Sequence, residues 1–277
     1  MMGSEFAMAV EMGLIYGIIA IGIMLTFRII NFADMTCDGS FVFGGCVASI
    51  LVKNGLSPAI GCAAAFIAGA AAGWVTALLH SRYKITDILA GILVAFMLYS
   101  INLRLLGGMP NITLEGSCLG NFGLLVTAMA AVLLIGYLLN TDFGLALRAI
   151  GHNSCLAKAS GINVAAMMAL ALALSNGLIG LGGAFFCLTQ SFCDVGSGIG
   201  TLIVAMASLI IGERILPFRS PTVAAASCVV GSVIYRILVG FALHGNDGIF
   251  RSSDFNLITG VLIVAIMAIG RKKKCFP

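Results

Sequence analysis

Apolar residues in this chain occur in long runs that are separated by short polar links. The runs cover approximately residues 8–30, 38–52, 57–79, 85–107, 120–140, 164–190, 197–212, 220–243 and 254–270. A helix needs about 20 apolar residues to cross a bilayer, and only the run 38–52 is clearly short. The pattern predicts an all-α polytopic membrane protein with eight or nine transmembrane helices and a broken or short helix near residues 31–52.

Composition agrees with this pattern. Hydrophobic residues make up 60% of the 277 residues and charged residues only 9%, whereas a soluble domain carries roughly 25% charged residues. The 35 glycines are typical of membrane helices that pack closely. Because the links leave little chain for a soluble domain, residues 1–277 are interpreted as a single transmembrane domain.

The positions of Lys and Arg predict which links face the cytoplasm, because positively charged links stay inside. The basic run 271–274 is taken as cytoplasmic, and counting back places three links on the same side: 213–219, 141–163 and 80–84. Four of the 15 Lys and Arg residues fall on the other side: Lys53, Arg104, Arg236 and Arg251. The sequence therefore predicts a multi-pass membrane protein with a cytoplasmic C-terminus.

The first two apolar runs leave the position of the N-terminus open. If the runs 8–30 and 38–52 each cross the membrane, the chain has nine spans and starts outside. If residues 31–40 only interrupt one crossing, it has eight spans and starts inside.

The stretch RIINFADMTCDGSF, residues 28–41, places Asp34 and Asp38 four positions apart between apolar runs. A charge inside a membrane costs at least ~2.5–3.5 kcal/mol on insertion scales, so it usually faces a cavity or a partner. Two carboxylates are too few for a Ca²⁺ or Mg²⁺ site, and no metal is expected. Asp38 is predicted to cap the short second segment, where the helix dipole favours a negative charge.

Two compatible interpretations of this stretch remain: a capped break between helices, and a broken helix that lines a transport path. Two further polar residues, Asn102 and Asn176, lie inside later apolar runs. Polar residues among glycines mark a helix–helix interface or the lining of a cavity. The candidate residues for the break or the path are Asn31, Asp34, Thr36, Asp38, Ser40, Asn102 and Asn176.

The longest polar stretch is NTDFGLALRAIGHNSCLAKASGINV, residues 140–164. Its spacing predicts a short amphipathic helix that could dock into a groove on a soluble partner. The alternative is a connector that lies on the membrane surface. The predicted apolar ridge consists of Leu145, Ala149 and Leu156, and the predicted exposed residues are Arg148, His152, Asn153 and Lys158.

This stretch resembles the cytoplasmic coupling loop of ABC-importer permeases of the branched-chain amino acid and ribose type. The matching positions are Gly144, Arg148, Ala149, Gly151, Asn153, Ala157, Gly161, Ile162 and Asn163. GLIYGIIAIGIMLTFRIINFADMT is similar to the opening of the same family. DILAGILVAFMLYSINLRLLG and CDVGSGIGTLIVAMASLIIGE resemble its branch of tryptophan/tyrosine-type uptake permeases. Together these matches cover most of residues 10–215.

The resemblance implies the permease subunit of a bacterial ATP-driven importer, located in the bacterial plasma membrane. This subunit forms the translocation path for a small organic solute. The implied solute is an amino acid, aromatic or branched-chain. The implied coupling loop is about residues 141–163, and its ATPase-coupling residues are Gly144, Arg148, Gly151, His152, Asn153, Lys158, Gly161 and Asn163.

The same resemblance implies the partners: a second permease copy or close homologue, a cytoplasmic ABC ATPase dimer, an extracytoplasmic substrate-binding protein and membrane lipid. Nothing points to nucleic acid. The chain has no G-x-x-x-x-G-K-[ST] motif, so it lacks the P-loop route to ATP phosphates. The expectation is a transport subunit that is not itself an enzyme and holds no cofactor, with ATP and Mg²⁺ on the ATPase.

The alternative from a different class is a stand-alone ion-coupled secondary transporter or channel that uses Asp34 and Asp38. It would need neither an ATPase partner nor a coupling loop. A membrane enzyme is disfavoured because no His, Cys and carboxylate cluster has catalytic spacing.

Overall fold

A computed structural model describes residues 2–114, 121–218 and 220–244, together with 260, 261 and 264. Its helices are α1 Met2–Ile23, α2 Cys37–Lys53, α3 Pro58–Tyr83, α4 Asp87–Leu105, α5 Asn121–Asn140, α6 Asp142–His152, α7 Ser154–Ala159, α8 Val164–Gln190, α9 Thr201–Ile215 and α10 Pro221–His244. A π-helix, Met24–Ile29, continues α1, and a 3₁₀ turn, Val195–Gly198, precedes α9. Two short strands are β1 Asn111–Thr113 and β2 Phe192–Asp194.

Seven stretches of the described chain are long and apolar enough to cross a membrane. They are Phe6–Ile29, Pro58–Tyr83, Asp87–Leu105, Gly123–Asn140, Val164–Gln190, Val195–Ile215 and Pro221–Phe241. They coincide with seven of the nine apolar runs, and the short run is α2, a helix of 17 residues. The ninth run, 254–270, lies almost wholly outside the described residues. The predicted class, an all-α polytopic membrane protein, is confirmed.

The helix α1 runs antiparallel to α8. Ser175 in the first half of α8 donates a hydrogen bond to the carbonyl of Gly22, near the end of α1, over 2.7 Å. Ile19, one turn earlier in α1, packs against Gly182 in the second half of α8. Because α8 follows directly on α7, α1 ends on the face of the molecule that carries α6 and α7, called here the coupling face.

The chain then turns back and runs parallel to α8. Asp34 contacts Asn176 near the middle of α8, and Phe41 lies beside Gly183, two turns further on. Residues 30–53 therefore run back alongside α8 toward its other end, and only α2 among them is helical. Of the two topologies that the sequence left open, this geometry supports the one in which the first two apolar runs each cross.

The contacts of α2 and α3 with α8 are close because glycines stand where the helices meet. A Cβ on Gly183 would overlap the carbonyl of Phe41, and a Cβ on Gly44 would overlap the backbone of Gly180. Small residues at such positions let membrane helices approach at backbone distance. The centre of the molecule is thus a glycine-rich contact between α2, α3 and α8.

The strands join two links at the end of α8 that is remote from the coupling face. They are antiparallel, with Asn111 opposite Asp194 and Thr113 opposite Phe192. This end of the molecule is called here the sheet face. It connects the link after α4 to the segment that leads into α9.

Candidate translocation path and coupling surface

The break begins where the π-helix ends. Asn31 has a left-handed backbone with φ of +57°, a conformation that Asn tolerates better than most residues. The N–H of Phe32 donates to the carbonyl of Thr26 over 2.9 Å, which closes the helix end. Residues 30–36 then leave helical geometry, as the sequence predicted.

Asp34 holds this non-helical stretch against α8. Its side chain is fully buried. One carboxylate oxygen accepts from the N–H of Thr36 over 2.9 Å, and the other accepts from Asn176 Nδ2 over 2.6 Å. The same Asn176 nitrogen also donates to the Leu172 carbonyl over 3.1 Å. A buried carboxylate needs such partners, and Asp34 finds them within its own chain.

Thr36 extends the network to α3. Its hydroxyl lies 2.8 Å from that of Thr76. The Thr76 hydroxyl also donates to the Ala72 carbonyl over 3.2 Å. Asp34 and Thr36 therefore connect the break to α8 and α3, and the structure brings together three predicted residues, Asp34, Thr36 and Asn176.

Replacing Asp34 by Asn is expected to lower the stability of the folded protein by about 1–3 kcal/mol. An amide has one acceptor oxygen and one NH₂ donor group, so its NH₂ would face another donor, either the N–H of Thr36 or the NH₂ of Asn176. A buried donor left without an acceptor costs about 1–3 kcal/mol. The measurement is the thermal unfolding temperature in mild detergent.

The control is the double variant Asp34→Asn with Asn176→Asp, which restores one donor–acceptor pair and should recover part of the lost stability. No recovery would contradict the assigned contact.

Asp38 lies in the first turn of α2, but its carboxylate caps a different helix. One oxygen accepts from the hydroxyl of Thr201 over 2.7 Å and from the N–H of Leu202 over 3.0 Å. The other accepts from the N–H of Gly200 over 3.3 Å. Asp38 therefore stands at the N-terminus of α2, as predicted, but the expected cap is wrong because its carboxylate makes its hydrogen bonds with the start of α9. The residue before α9, Gly200, has no side chain to cap the first N–H groups of that helix. Gly198 packs on the Asp38 carbonyl, and this contact brings the start of α9 within hydrogen-bond distance of the Asp38 carboxylate.

Arg28 contacts the other end of α9. Its Nε donates to Glu213 Oε1 over 2.5 Å and its Nη2 donates to Oε2 over 2.6 Å. Such a two-bond pair fixes relative orientation. The Arg28 side chain is 55% exposed, so the pair contributes little to stability. Arg28 and Asp38, on either side of the break, thus attach it to both ends of α9.

Ser40 and Asn102 are buried as well, but the structure does not join them to this network. In the described part of the chain, Ser40 Oγ, Asn102 Oδ1 and Asn176 Oδ1 have no hydrogen-bond partner. Whether any of the seven predicted residues faces a transported molecule stays a prediction.

The predicted coupling loop consists of the helices α6 and α7. At the corner between α5 and α6, a Cβ on Gly144 would overlap the backbone of Leu139. The guanidinium of Arg148 donates to the carbonyls of Gly144 and Leu139, each over 3.3 Å. Gly144 and Arg148 therefore shape this corner from within the chain.

The two asparagines of the loop are helix caps. The side-chain oxygen of Asn153 accepts from the N–H groups of Cys155 and Leu156 over 3.0 and 3.1 Å, at the start of α7. That of Asn163 accepts from the N–H of Ala166 over 3.2 Å, at the start of α8. Between them Gly161 takes a left-handed conformation, with φ of +84°, which favours glycine. Residues of the family motif thus define the shape of the loop.

Gly151 places α6 directly on the end of the π-helix. A Cβ at this position would overlap the carbonyl of Ile29. Next to this contact, a buried apolar cluster joins α6 to the break, to α3 and to α8. Its buried members are Ile30, Phe32, Ala77, Leu147, Ala171 and Leu172. The coupling loop is in contact with the first residues of the break.

The outward side of α6 and α7 carries the predicted ridge. Leu145 is 60% and Leu156 66% exposed, and Ala149 is half-buried. The four predicted exposed residues, Arg148, His152, Asn153 and Lys158, are exposed. A cleft of about 470 Å³ lies between the helices and is lined by Ala149, His152, Asn153, Leu156, Ala157, Ser160 and Ile162. Within the described ranges, no three His, Cys, Asp or Glu residues are placed to hold a metal ion.

These features define a multi-pass membrane protein with a polar helix break inside it and a partly apolar pair of helices on one face. Residues 6–269 match the family described as the permease component of branched-chain amino acid transport systems. The chain belongs to this permease family, and the resemblance seen in its motifs is confirmed.

Individual relatives agree with this assignment. The chain is 38% identical to the tyrosine transport system permease protein of Clostridioides difficile over 263 residues, which cover 93% of this chain and 88% of the relative. It is 30% identical to the uncharacterized protein RP368 of Rickettsia prowazekii, covering 95% and 97%. It is 23% identical to the ribose import permease protein RbsC of Escherichia coli K12, covering 93% and 82%. No solved structure matches the chain significantly.

Proposed function

We propose that this chain is the membrane-spanning subunit of a bacterial ATP-driven importer for an amino acid, with aromatic amino acids favoured. The family match supports the permease role. The substrate class is supported by the relative that is named as a tyrosine transport permease. A second copy or a close homologue completes the path, and an extracytoplasmic binding protein delivers the solute.

The observation that carries the proposal is the contact between the coupling face and the helix break. The exposed residues Leu145 and Leu156 offer an apolar surface of the kind that a groove on a soluble partner binds. We assign this surface to a cytoplasmic ABC ATPase, which holds ATP and Mg²⁺ and carries out the hydrolysis. The coupling face is then cytoplasmic, and so is the C-terminus.

A displacement of α6 by the ATPase would act on the break through backbone contact. Gly151 lies against the Ile29 carbonyl, and Leu147 of α6 packs in one cluster with Ile30 and Phe32. Close-packed interiors transmit such displacements because they have little free space. The Asp34–Asn176 bond, near the middle of α8, is only a few residues further along the chain.

Replacing Leu156 by Asp is expected to weaken binding of the ATPase at least tenfold without unfolding the permease. A carboxylate in the cleft removes apolar contact and adds a charge that would have to be desolvated in the complex. The measurement is co-purification of the ATPase subunit with tagged permease, combined with ATP-dependent uptake in proteoliposomes.

The matched control is Ala159→Asp, which adds the same charge to the same helix. Ala159 is exposed and is not among the residues that line the cleft. Equal ATPase binding by the two variants would contradict the docking surface. Uptake that follows a proton or sodium gradient with no ATPase present would instead support the ion-coupled alternative and overturn the proposed function.

A further inference from the structure

Ile199 is the most exposed of the large apolar side chains in the described chain, at 85% of its surface. It lies between Gly198 and Gly200, two residues before α9 begins. Its backbone is extended, with φ of −65° and ψ of 117°. A bulky side chain therefore projects from a non-helical segment without packing on its own protein.

The contacts of this segment place it within the membrane. A Cβ on Gly198 would meet the carbonyl of Asp38 and the side chain of Val42. Asp38 is four residues beyond Asp34, which bonds to the middle of α8. Because α2 runs from there toward the sheet face, Ile199 lies between the membrane centre and that face.

The surface around Ile199 is unsuited to lipid. Asp38, beside it, is only half-buried, and an exposed carboxylate in hydrocarbon is costly. Non-helical backbone at membrane depth is tolerated only where it is covered by protein or lines a water-filled cavity. Ile199 must therefore face either the path or the second permease subunit that borders it.

We propose that Ile199 is the gate residue of the translocation path on its extracytoplasmic side. This inference rests on the proposed function. With the equivalent side chain of the second subunit it closes the path by an apolar constriction, which excludes water and ions by dewetting. Opening requires the two side chains to separate.

Asp38 positions this gate. Its carboxylate accepts from the N–H of Gly200 over 3.3 Å, from the N–H of Leu202 over 3.0 Å and from the Thr201 hydroxyl over 2.7 Å. The backbone on the C-terminal side of Ile199 is thereby attached to α2, which begins at the break. A movement of the break that started at the coupling face would move the gate through this carboxylate.

The first test is the reactivity of Ile199→Cys in a chain in which three cysteines are replaced by Ser: the exposed Cys155, and Cys118 and Cys275, which lie outside the described residues. A charged, membrane-impermeant methanethiosulfonate reagent is applied from the extracytoplasmic side. The matched control is Leu133→Cys, which is 63% exposed on the regular helix α5. Thiols react as thiolates, which lipid disfavours, so Ile199→Cys should react at least tenfold faster. Equally slow reaction at both positions would place Ile199 against lipid and overturn the proposal.

The second test is passive flux of a small radiolabelled amino acid through the purified permease in vesicles, without ATPase or binding protein. Ile199→Asn should raise this leak at least fivefold because a polar side chain lets the constriction fill with water. Ile199→Leu should stay closed. An unchanged leak in a folded Ile199→Asn variant would overturn the gate. A failure of the proposed function would give a different result. The natural chain, with Ile199 in place, would then show no ATP-driven uptake together with its ATPase and binding protein.

Discussion

Alanine in place of Gly183 is expected to prevent the chain from reaching its folded state. The added Cβ would overlap the carbonyl oxygen of Phe41, and both partners are backbone in the contact between α2 and α8. Neither can move away as a flexible side chain could, so the helices must separate and lose packing along their length. The measurement is the amount of monodisperse protein that mild detergent extracts, which should fall at least tenfold.

The matched control is Gly240→Ala in α10, where no atom of the described residues lies within 4 Å of the added Cβ. Alanine there should be neutral or stabilising by up to about 1 kcal/mol, because it is a better helix former than glycine. Similar yields for the two variants would show that α2 and α8 are not in backbone contact.

Removing the Asp38 carboxylate by Asp38→Ala is expected to cost about 2–4 kcal/mol of stability and to abolish uptake. Loss of a helix cap costs about 0.5–2 kcal/mol, and each buried donor left without an acceptor adds about 1–3 kcal/mol. Two backbone N–H groups, those of Gly200 and Leu202, lose their acceptor, whereas the Thr201 hydroxyl keeps the Gly198 carbonyl as a second acceptor. Asp38→Asn keeps one acceptor oxygen, so its stability and its uptake rate should lie between those of Asp38→Ala and those of the natural protein. Thermal unfolding and uptake in proteoliposomes measure the two effects.

Asp194→Ala provides the comparison for Asp38→Ala. Its carboxylate also accepts from a backbone N–H, that of Gly196 over 3.1 Å, but at an exposed site at the start of the 3₁₀ turn. The loss there should stay below about 1 kcal/mol, because water can replace the missing oxygen. If Asp38→Ala cost no more than Asp194→Ala, the cap across to α9 would be refuted.

Apolar run length was sufficient to predict most of the fold. Seven runs correspond to the seven membrane-length helices of the described chain, because in lipid the backbone must satisfy its own hydrogen bonds as a helix. The short run 38–52 also appeared as a short helix, α2. Its direction could not be predicted from run length, since it depends on the contacts that Asp34 and Phe41 make with α8.

The polar residues of the break could be selected from the sequence, but their partners could not. Asp34 and Asn176 both stand out as polar groups in apolar runs, and buried polar groups are expected to be paired. Nothing local indicates that they pair with each other across 142 positions. Asp38 was assigned to the nearest helix start, whereas its actual donors are more than 160 positions away.

The coupling loop was found by its motif, and the structure adds what the motif residues do. An Asn directly before a helix is a preferred cap, so the roles of Asn153 and Asn163 could have been inferred from local sequence alone. The contact of Gly151 with Ile29 could not, because it depends on how α6 folds back against α1. In the local sequence, only the absence of a side chain at Gly151 points to this contact.

The π-helix between α1 and the break allows a change of register. Its hydrogen bonds span five residues, one more than those of an α-helix. If this turn converted to α-helical bonding, the residues beyond it would advance by one position around the helix axis while remaining hydrogen-bonded. Arg28 and Ile29 belong to this turn. The conversion to α-helical bonding would therefore move the Arg28–Glu213 ion pair and the Ile29 carbonyl that contacts Gly151 at the same time. A change of register at Met24–Ile29 would therefore displace two contacts at once, the one with α9 and the one with the coupling face.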